Sequence, residues 1–186
     1  MTLAMTAPQT NAPAATGEAA RLRAMVDAHV DVVARVLRRL GVPEADVDDA
    51  VQQVFLTASR RVADIAPGAE RAFLYKTALH VAAHARRSLA RRREDASDAT
   101  DVADARADLD EALDRQRAAA LLEGVLDAMP EELRAVFVLF EIEELTVPEI
   151  AALVDVPAGT AASRLRRARE DFQARVARLR ARKGRP

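Results

Sequence analysis

The stretch DVPAGTAASRLRRARE, residues 155–170, decides the fold because it places a tight turn and several small residues directly before four arginines. Ala161, Leu165, Ala168 and Phe172 recur at the i, i+4, i+7 and i+11 spacing of one helical stripe. That spacing predicts a helix whose apolar face packs inward. Short hydroxyls and guanidinium groups fall on the other faces of the same helix: Thr160, Ser163, Arg164, Arg166 and Arg167.

A short helix precedes this one. Thr146 and Glu149 have the spacing of a capping box, and Pro148 is tolerated in the first helical turn. A short helix, a turn and a second helix with a polar, arginine-bearing face are typical of a helix-turn-helix. Arginine binds guanine edges or phosphates, so the pattern favours DNA binding. A basic, solvated surface helix is the alternative that spacing alone leaves open.

Composition sets the fold class. The 186 residues are 50% hydrophobic but only 3% aromatic. Abundant Ala, Leu, Arg and Glu favour helices, so we predict an all-α chain. There is no cysteine, which excludes disulfides, thiolate metal sites and cysteine nucleophiles. No apolar run approaches the roughly 20 residues of a membrane span, and the N-terminus lacks signal-peptide features. A cytoplasmic location is expected.

Charge divides the chain. Residues 94–114 carry nine acids and one arginine, and basic blocks lie on both sides. We predict a disordered tail at 1–20, a helical bundle at 21–93, an acidic flexible linker at 94–114 and a second helical bundle at 115–182. Two basic blocks suggest a polyanionic partner, although solvated surface explains them equally well.

Helices are predicted at 19–40, 44–62, 70–93, 115–128, 131–142 and 147–154, followed by the arginine-bearing helix. The second helix has an apolar stripe of Val47, Val51, Val54 and Ala58, and the third has one of Leu74, Ala78, Val81 and Ala85. In the fifth, the buried face is Leu133, Val136, Phe137 and Phe140.

The segment LTVPEIAALVDVPAGTAASRLRRARE closely resembles region 4 of bacterial sigma factors of the extracytoplasmic function type, in the sigma-70 family. The preceding LDAMPEELRAVFVLFEIEELT is similar to the same region. EADVDDAVQQVFLTASRRV resembles region 2.2, and FLYKTALHVAAHARRSLARRR resembles regions 2.3 to 2.4. The resemblance covers about residues 25–180 and implies an alternative sigma factor that directs promoter-specific initiation.

The resemblance also implies partners and sites. Region 4 would read the -35 element through the arginine-bearing helix. The outward face of the second helix would contact the β′ clamp helices of core RNA polymerase: Asp48, Asp49, Gln52, Gln53 and Leu56. The β flap and an anti-sigma factor are further implied partners.

Binding of the -10 element would fall to the third helix through five residues: Lys76, Thr77, His80, His84 and Arg87. Phe73, His80 and His84 stand where the family usually has Trp, Asn and Asp. The loop at 62–70 contains no aromatic residue for base stacking.

Other functions fit less well. His80 and His84 share a helical turn, but HVAAH lacks the acid of HExxH and a third ligand, so we expect no metal and no cofactor. No phosphate loop or catalytic constellation points to an enzyme. An adaptor leaves the basic helix unexplained, and a stand-alone helix-turn-helix regulator is the main alternative.

Overall fold

The computed structural model describes residues 12–95 and 111–183, with side chains from 17–92 and 118–182. Seven α-helices make up this part of the chain: α1 (Ala12–Arg39), α2 (Glu44–Arg61), α3 (Glu70–Asp95), α4 (Glu111–Asp127), α5 (Glu131–Phe137), α6 (Val147–Leu153) and α7 (Ala158–Lys183). A 3-10 turn, Val62–Asp64, follows α2, and a π-helical turn, Val138–Ile142, follows α5. The all-α prediction is confirmed, and the described residues contain no strand.

Helices α1, α2 and α3 pack against one another as the N-terminal bundle. The predicted stripe of α2 is confirmed, because Val47, Val54 and Ala58 are buried and Val51 is half-buried. On α3, Leu74 and Ala78 are buried, while Val81 and Ala85 are half-buried. Burying these small aliphatic side chains holds the three helices close together.

The C-terminal bundle is formed by α4 to α7, with α5 and α6 both packed on α7. Ala161, Leu165 and Ala168 are buried as the spacing predicted, and Phe172 stacks on Phe137 with 4.6 Å between ring centroids. This contact fixes α7 against α5, so the opposite face of α7 is turned to solvent.

Four helix bounds differ from the sequence prediction by more than one residue. Helix α1 begins at Ala12, so residues 12–20 are helical although they were assigned to a disordered tail. Alanine dominates this stretch, and Pro13 lies in the first turn, where proline is tolerated. Asp95 ends α3 and Glu111 begins α4, so only residues 96–110 of the predicted linker lie outside the described residues.

The fourth difference concerns 131–142, which was predicted as one α-helix. Its second half is the π-helical turn, in which the Glu143 amide donates to Val138 O at 3.1 Å. Glu144 follows with φ of 57°, a left-handed conformation that is uncommon for a residue other than glycine, asparagine or aspartate. The wider turn and this left-handed residue redirect the chain before α6, and π turns of this kind often mark functional sites.

The two bundles share one hydrophobic core, which contains residues of α1 to α3 together with residues of α4 to α7. Helix α1 contacts α4, and α3 contacts α6. The sequence predicted two bundles but not that they would pack on each other.

Arg134 of α5 lies at this junction and is only 1% exposed. Its guanidinium donates to Asp127 Oδ1 at 2.8 Å and to the carbonyl oxygens of Asp127 and Met129 at 2.9 and 3.3 Å. Burial, and then the nearby charge of Arg86, lowers the pKa of Arg134 to about 10. Gly41 covers it with φ of 87°, and a Cβ at that position would overlap Nη1 of Arg134.

Candidate nucleic-acid interface

The solvent-facing side of α7 carries the residues that the sequence assigned to DNA. Ser163, Arg166 and Arg167 are exposed, while Thr160 and Arg164 are half-buried. The Ser163 hydroxyl donates to the Thr160 carbonyl at 2.9 Å, which leaves its oxygen lone pairs free to accept a hydrogen bond. The structure therefore brings the five predicted residues together over the first three turns of one helix.

Three arginines near the predicted DNA-binding face of α7 are paired with carboxylates. Arg164 Nη2 lies 3.2 Å from Glu132 Oε2 of α5, and its side chain is 23% exposed. Arg166 pairs with Glu170 at 3.1 Å along α7, and Arg169 pairs with Glu141 at 2.6 Å. The ion pairs order the guanidinium groups, and each would have to break or be shared if a polyanion bound to this face.

The start of α7 is positioned by α6 and the turn between them. The Glu149 carboxylate accepts the Thr146 amide at 2.8 Å and the Thr146 hydroxyl at 2.6 Å, as expected for the predicted capping box. These two bonds, the hydroxyl first, hold the pKa of Glu149 below its ordinary value. Asp155 takes φ of 54° in the turn, a conformation that aspartate tolerates.

A groove of about 920 Å³ lies on the surface between α2 and α3. Four of the five residues predicted for the -10 element line it: Lys76, Thr77, His80 and His84. Arg87 is exposed on the same helix but does not line the groove. Among the lining residues there is no acid, although Asp64, outside the groove, pairs with the lining residue Arg61 at 3.5 Å.

Arg61 and Phe73 also line this groove, although the sequence prediction included neither among the -10 residues. Arg61, at the end of α2, places its guanidinium 5.9 Å from the centre of the Phe73 ring, and both side chains line the groove. Phe73 supplies the aromatic surface that the loop at 62–70 lacks. A basic pair at the end of α2, Arg60 and Arg61, was the available sequence signal, but it did not show which of the two faces α3.

The outward face of α2 carries the predicted polymerase-contact residues. All five are exposed, and Leu56 is 42% exposed, a large apolar side chain among polar neighbours: Asp48, Asp49, Gln52, Gln53 and Leu56. Gln53 also lines the groove, so this face and the groove are adjacent.

A second, apolar groove of about 440 Å³ lies between α4 and α7. Six apolar side chains form most of its wall: Leu121, Leu122, Val125, Phe172, Val176 and Leu179. Leu121 is 43% exposed, so the apolar surface opens to solvent.

The part of the chain that the structure describes contains no group of three or more His, Asp or Glu side chains able to hold a metal ion. His80 and His84 are both exposed, and Nδ1 of His80 lies 2.8 Å from the Lys76 carbonyl. Among the described helices, none has the length and apolarity needed to cross a bilayer.

Two family models match this chain. Sigma-70 region 2 matches residues 25–94, and sigma-70 region 4 matches residues 119–172. The "ECF RNA polymerase sigma-E factor" of Haemophilus influenzae is 31% identical over 170 residues, covering 86% of this chain and 89% of the relative. The chain belongs to the extracytoplasmic function sigma factors. It is thus an alternative sigma factor, which acts in promoter-specific initiation of transcription, rather than a stand-alone regulator.

A further relative and two solved structures are similar to this chain. The "ECF RNA polymerase sigma factor SigE" of Mycolicibacterium smegmatis is 30% identical over 164 residues; this chain spans 64% of its length. CnrH, solved with the cytosolic domain of CnrY, superposes with a TM-score of 0.64 and 27% identity, covering 88% of this chain and 94% of CnrH. The sigma factor RpoE of Bartonella quintana, solved with the anti-sigma factor NepR, has the same fold, with a TM-score of 0.58, 18% identity and coverage of 80% and 94%.

Proposed function

We propose that this sigma factor binds core RNA polymerase through α2 and places its two basic surfaces on two promoter elements, α7 on the -35 element and the α3 groove on the -10 element. The observation that carries the proposal is the presence, in one chain, of a helix-turn-helix with a cationic face and of a separate basic groove. Core polymerase acts in the cytoplasm, where we place this protein.

At the -35 element, α7 would enter the major groove with its N-terminal turns. The exposed side chains there are short until Arg164, which allows a close approach to base edges. Arg164 and Arg167 would reach guanine or phosphate, and the hydroxyls of Thr160 and Ser163 would bind bases or phosphates. The N-terminus of α7 would also favour a phosphate, because the first amides of a helix lack acceptors within the helix.

At the -10 element, the groove between α2 and α3 would take the separated strand. Phe73 offers a ring on which an unstacked base can stack, and Lys76 and Arg61 lie beside it to neutralise phosphates. His80 and His84 supply ring nitrogens for hydrogen bonds to a base. This assignment gives His80 and His84 a role despite their departure from the usual family residues.

Core polymerase would be bound at two places. The β′ clamp helices would pack on the outward face of α2, with Leu56 as the apolar anchor and Asp48 and Asp49 as its charged rim. The β flap would occupy the apolar groove between α4 and α7. The Bartonella sigma factor was solved with the anti-sigma factor NepR, which supports an anti-sigma factor that competes for these surfaces.

The test is transcription in vitro from a promoter library, with core polymerase and this protein, followed by sequencing of the start sites. We expect starts that share two upstream elements and that require both proteins. Promoter-specific binding by the free protein, unchanged by core polymerase, would contradict the proposal.

Asp49→Arg tests the polymerase-contact face. The variant should weaken association with core polymerase by tenfold or more, because a charge is reversed within a contact surface. Asp27→Arg, an exposed charge reversal on α1, is the matched control. Both variants should keep the melting temperature of the parent, and equal core binding by the two would show that the contact lies elsewhere.

A further inference from the structure

The carboxylate of Glu143 joins the two bundles. It is 6% exposed although it lies just after the π-helical turn, at the start of the connection to α6. The Tyr75 hydroxyl of α3 donates to Glu143 Oε2 at 2.6 Å, and Arg39 Nη1 of α1 lies 3.4 Å from Oε1. Two helices of the N-terminal bundle, α1 and α3, therefore converge on a single side chain of the C-terminal bundle.

Arg71 completes the cluster. Its Nη2 donates to the Glu143 carbonyl oxygen at 2.7 Å, and its Nε donates to the Tyr75 hydroxyl at 3.1 Å. The hydroxyl thus accepts from Arg71 and donates to Glu143, so each member has a charge-assisted partner. Burial, and next the hydrogen bond to Glu143, raises the pKa of Tyr75, so the hydroxyl stays protonated at neutral pH.

The remainder of the junction is less well satisfied. Arg86 of α3 lies 3.7 Å from Glu131 of α5, and one of its buried nitrogens has no hydrogen-bond partner among the described residues. The same holds for Nε of Arg134. A buried N–H group without a partner costs free energy that contact with water would recover. These two groups therefore favour separation of the bundles, whereas the Glu143 cluster opposes it.

The packed form is too small for the proposed promoter contacts. The names of the -35 and -10 elements place them about 25 base pairs apart, which is roughly 85 Å of duplex at 3.4 Å per base pair. A compact chain of this length has a radius of gyration of roughly 16 Å, which corresponds to a body roughly 40 Å across. The bundles must therefore separate before α7 and the α3 groove can occupy both elements.

We infer that Glu143, with Tyr75, Arg71 and Arg39, is a latch that holds this sigma factor closed and must open for promoter binding. The inference rests on the proposed function for the reason to open, but the latch itself is a contact between the bundles. The left-handed Glu144 and the π-helical turn aim Glu143 into the junction, and strain of this kind is commonly kept for such a purpose. Only the open form spans the promoter. The apparent affinity for the promoter is therefore the affinity of the open form multiplied by the fraction of molecules that are open.

The absence of natural cysteine allows a direct measurement of opening on the full chain. Spin labels on Ala63→Cys and Ala174→Cys, exposed sites in the two bundles, report the distance between them. The parent should give one short, narrow distance distribution. Glu143→Gln should add a longer population, with the ratio of closed to open forms reduced about tenfold, because the charged acceptor of the cluster is lost.

Glu141→Gln is the matched control, since Glu141 pairs with Arg169 inside the C-terminal bundle and lies two residues away. It should leave the distance distribution unchanged. If Glu143→Gln lowers the melting temperature markedly, Tyr75→Phe decides the matter, because it removes only the hydroxyl and keeps the ring. A parent that is already extended, or equal distributions in the Glu143 and Glu141 variants, would overturn the latch.

A second pair of variants tests the junction independently. Gly41 and Gly68 have φ of 87° and 85°, so alanine is similarly strained at both, but only at Gly41 would the new Cβ overlap Arg134. Gly41→Ala should lengthen the label distance and Gly68→Ala should not. An equal response of the two would count against close packing at the junction.

Transcription separates this inference from the proposed function. The concentration of Glu143→Gln that gives half-maximal core-dependent transcription should be up to about tenfold lower than for the parent. If the distances respond as expected but no variant binds core polymerase, the proposed function fails and the latch stands. If core-dependent transcription is normal and the distances do not respond, the latch fails alone.

Discussion

On α7, four arginines lie within 3.2 Å of carboxylates of the same bundle: Arg164, Arg166, Arg169 and Arg175. The groove of α3 is lined by Arg61, Lys76 and two histidines with no acid among them; among the described residues Arg61 pairs with Asp64 at 3.5 Å, while Lys76 has no carboxylate partner. Both surfaces are basic, but α7 is neutralised more completely by its own neighbours. A duplex bound to α7 would have to displace carboxylates from guanidinium groups, so the electrostatic gain would be partly offset. A strand in the groove would meet Lys76 without a carboxylate partner, so we expect binding there to depend more strongly on salt.

The largest effect is expected for Arg164→Ala. If Arg164 reads a base, transcription from the cognate promoter should lose about 1–3 kcal/mol of binding, and the preference at one -35 position should relax. Core-dependent transcription from promoters with single -35 substitutions measures both effects. Arg178→Ala, an exposed change farther along α7, is the control. A uniform loss across all -35 sequences would indicate a phosphate contact instead.

A smaller effect is expected for Lys76→Ala in the groove. Loss of one phosphate contact should weaken promoter binding by about 1 kcal/mol for all sequences and reduce the slope of log K against log salt by about 1. Titrating salt with the polymerase complex on a single-stranded -10 fragment measures the slope. Arg60→Ala removes a positive charge from α2 outside the groove and should leave the slope nearly unchanged. Equal slopes for the two variants would contradict the expected salt-dependent contact of Lys76 in the groove.

Glu132→Gln tests whether the carboxylates beside α7 weaken its binding to DNA. Releasing Arg164 from its carboxylate should strengthen -35 binding by about 0.5 kcal/mol, because an exposed ion pair of this kind contributes little and also competes with DNA. The effect should vanish when Arg164 is already alanine, so a double-mutant cycle measures it. Additive effects of the two changes would show that the ion pair does not persist in solution.

The smallest effect is expected for two glutamates in first helical turns, Glu70 of α3 and Glu149 of α6. The Arg21 guanidinium lowers the pKa of Glu70, and the Thr146 hydroxyl lowers that of Glu149. Because both folded pKa values lie below the ordinary value of 4.5, the stabilisation is complete above pH 4.5 and is lost as the pH falls through the folded values. Unfolding free energies between pH 7 and 3 should fall less steeply in Glu70→Gln and Glu149→Gln.

Salt separates the two glutamates further. The contribution of Glu70 depends on an ion pair at 2.6 Å and should shrink in high salt. Glu149 is bonded to the neutral Thr146, so its contribution should persist. The same salt response for both would mean that the local bonds do not set the two pKa values.

Most of the fold could be predicted because its signals are local. The stripe of Ala161, Leu165 and Ala168 fixes which face of α7 is buried, and its period needs no knowledge of the partner helix. The capping box likewise spans only four residues. The helix-turn-helix was therefore predicted with the correct elements and nearly correct bounds.

What could not be predicted depends on long-range contacts. Glu143 is buried by Arg39 and Tyr75, which lie 104 and 68 residues away, and nothing in VLFEIEE marks a π-helical turn. Arg134 lies in a segment that resembles region 4, but arginine is rarely fully buried, so its place under Gly41 was not evident. In the groove, Lys76 and His80 followed from the face of α3, but Arg61 did not, because it comes from another helix.

Helix α7 has a mechanical consequence of its own. It runs unbroken for 26 residues, about 39 Å at 1.5 Å per residue. Its first turns carry the side chains proposed to face the promoter, and Phe172, Val176 and Leu179 of its second half wall the apolar groove beside α4. A continuous helix of this length behaves as a stiff lever arm. A molecule bound in the apolar groove at one end of α7 would therefore change the angle of the proposed DNA-binding surface at the other end.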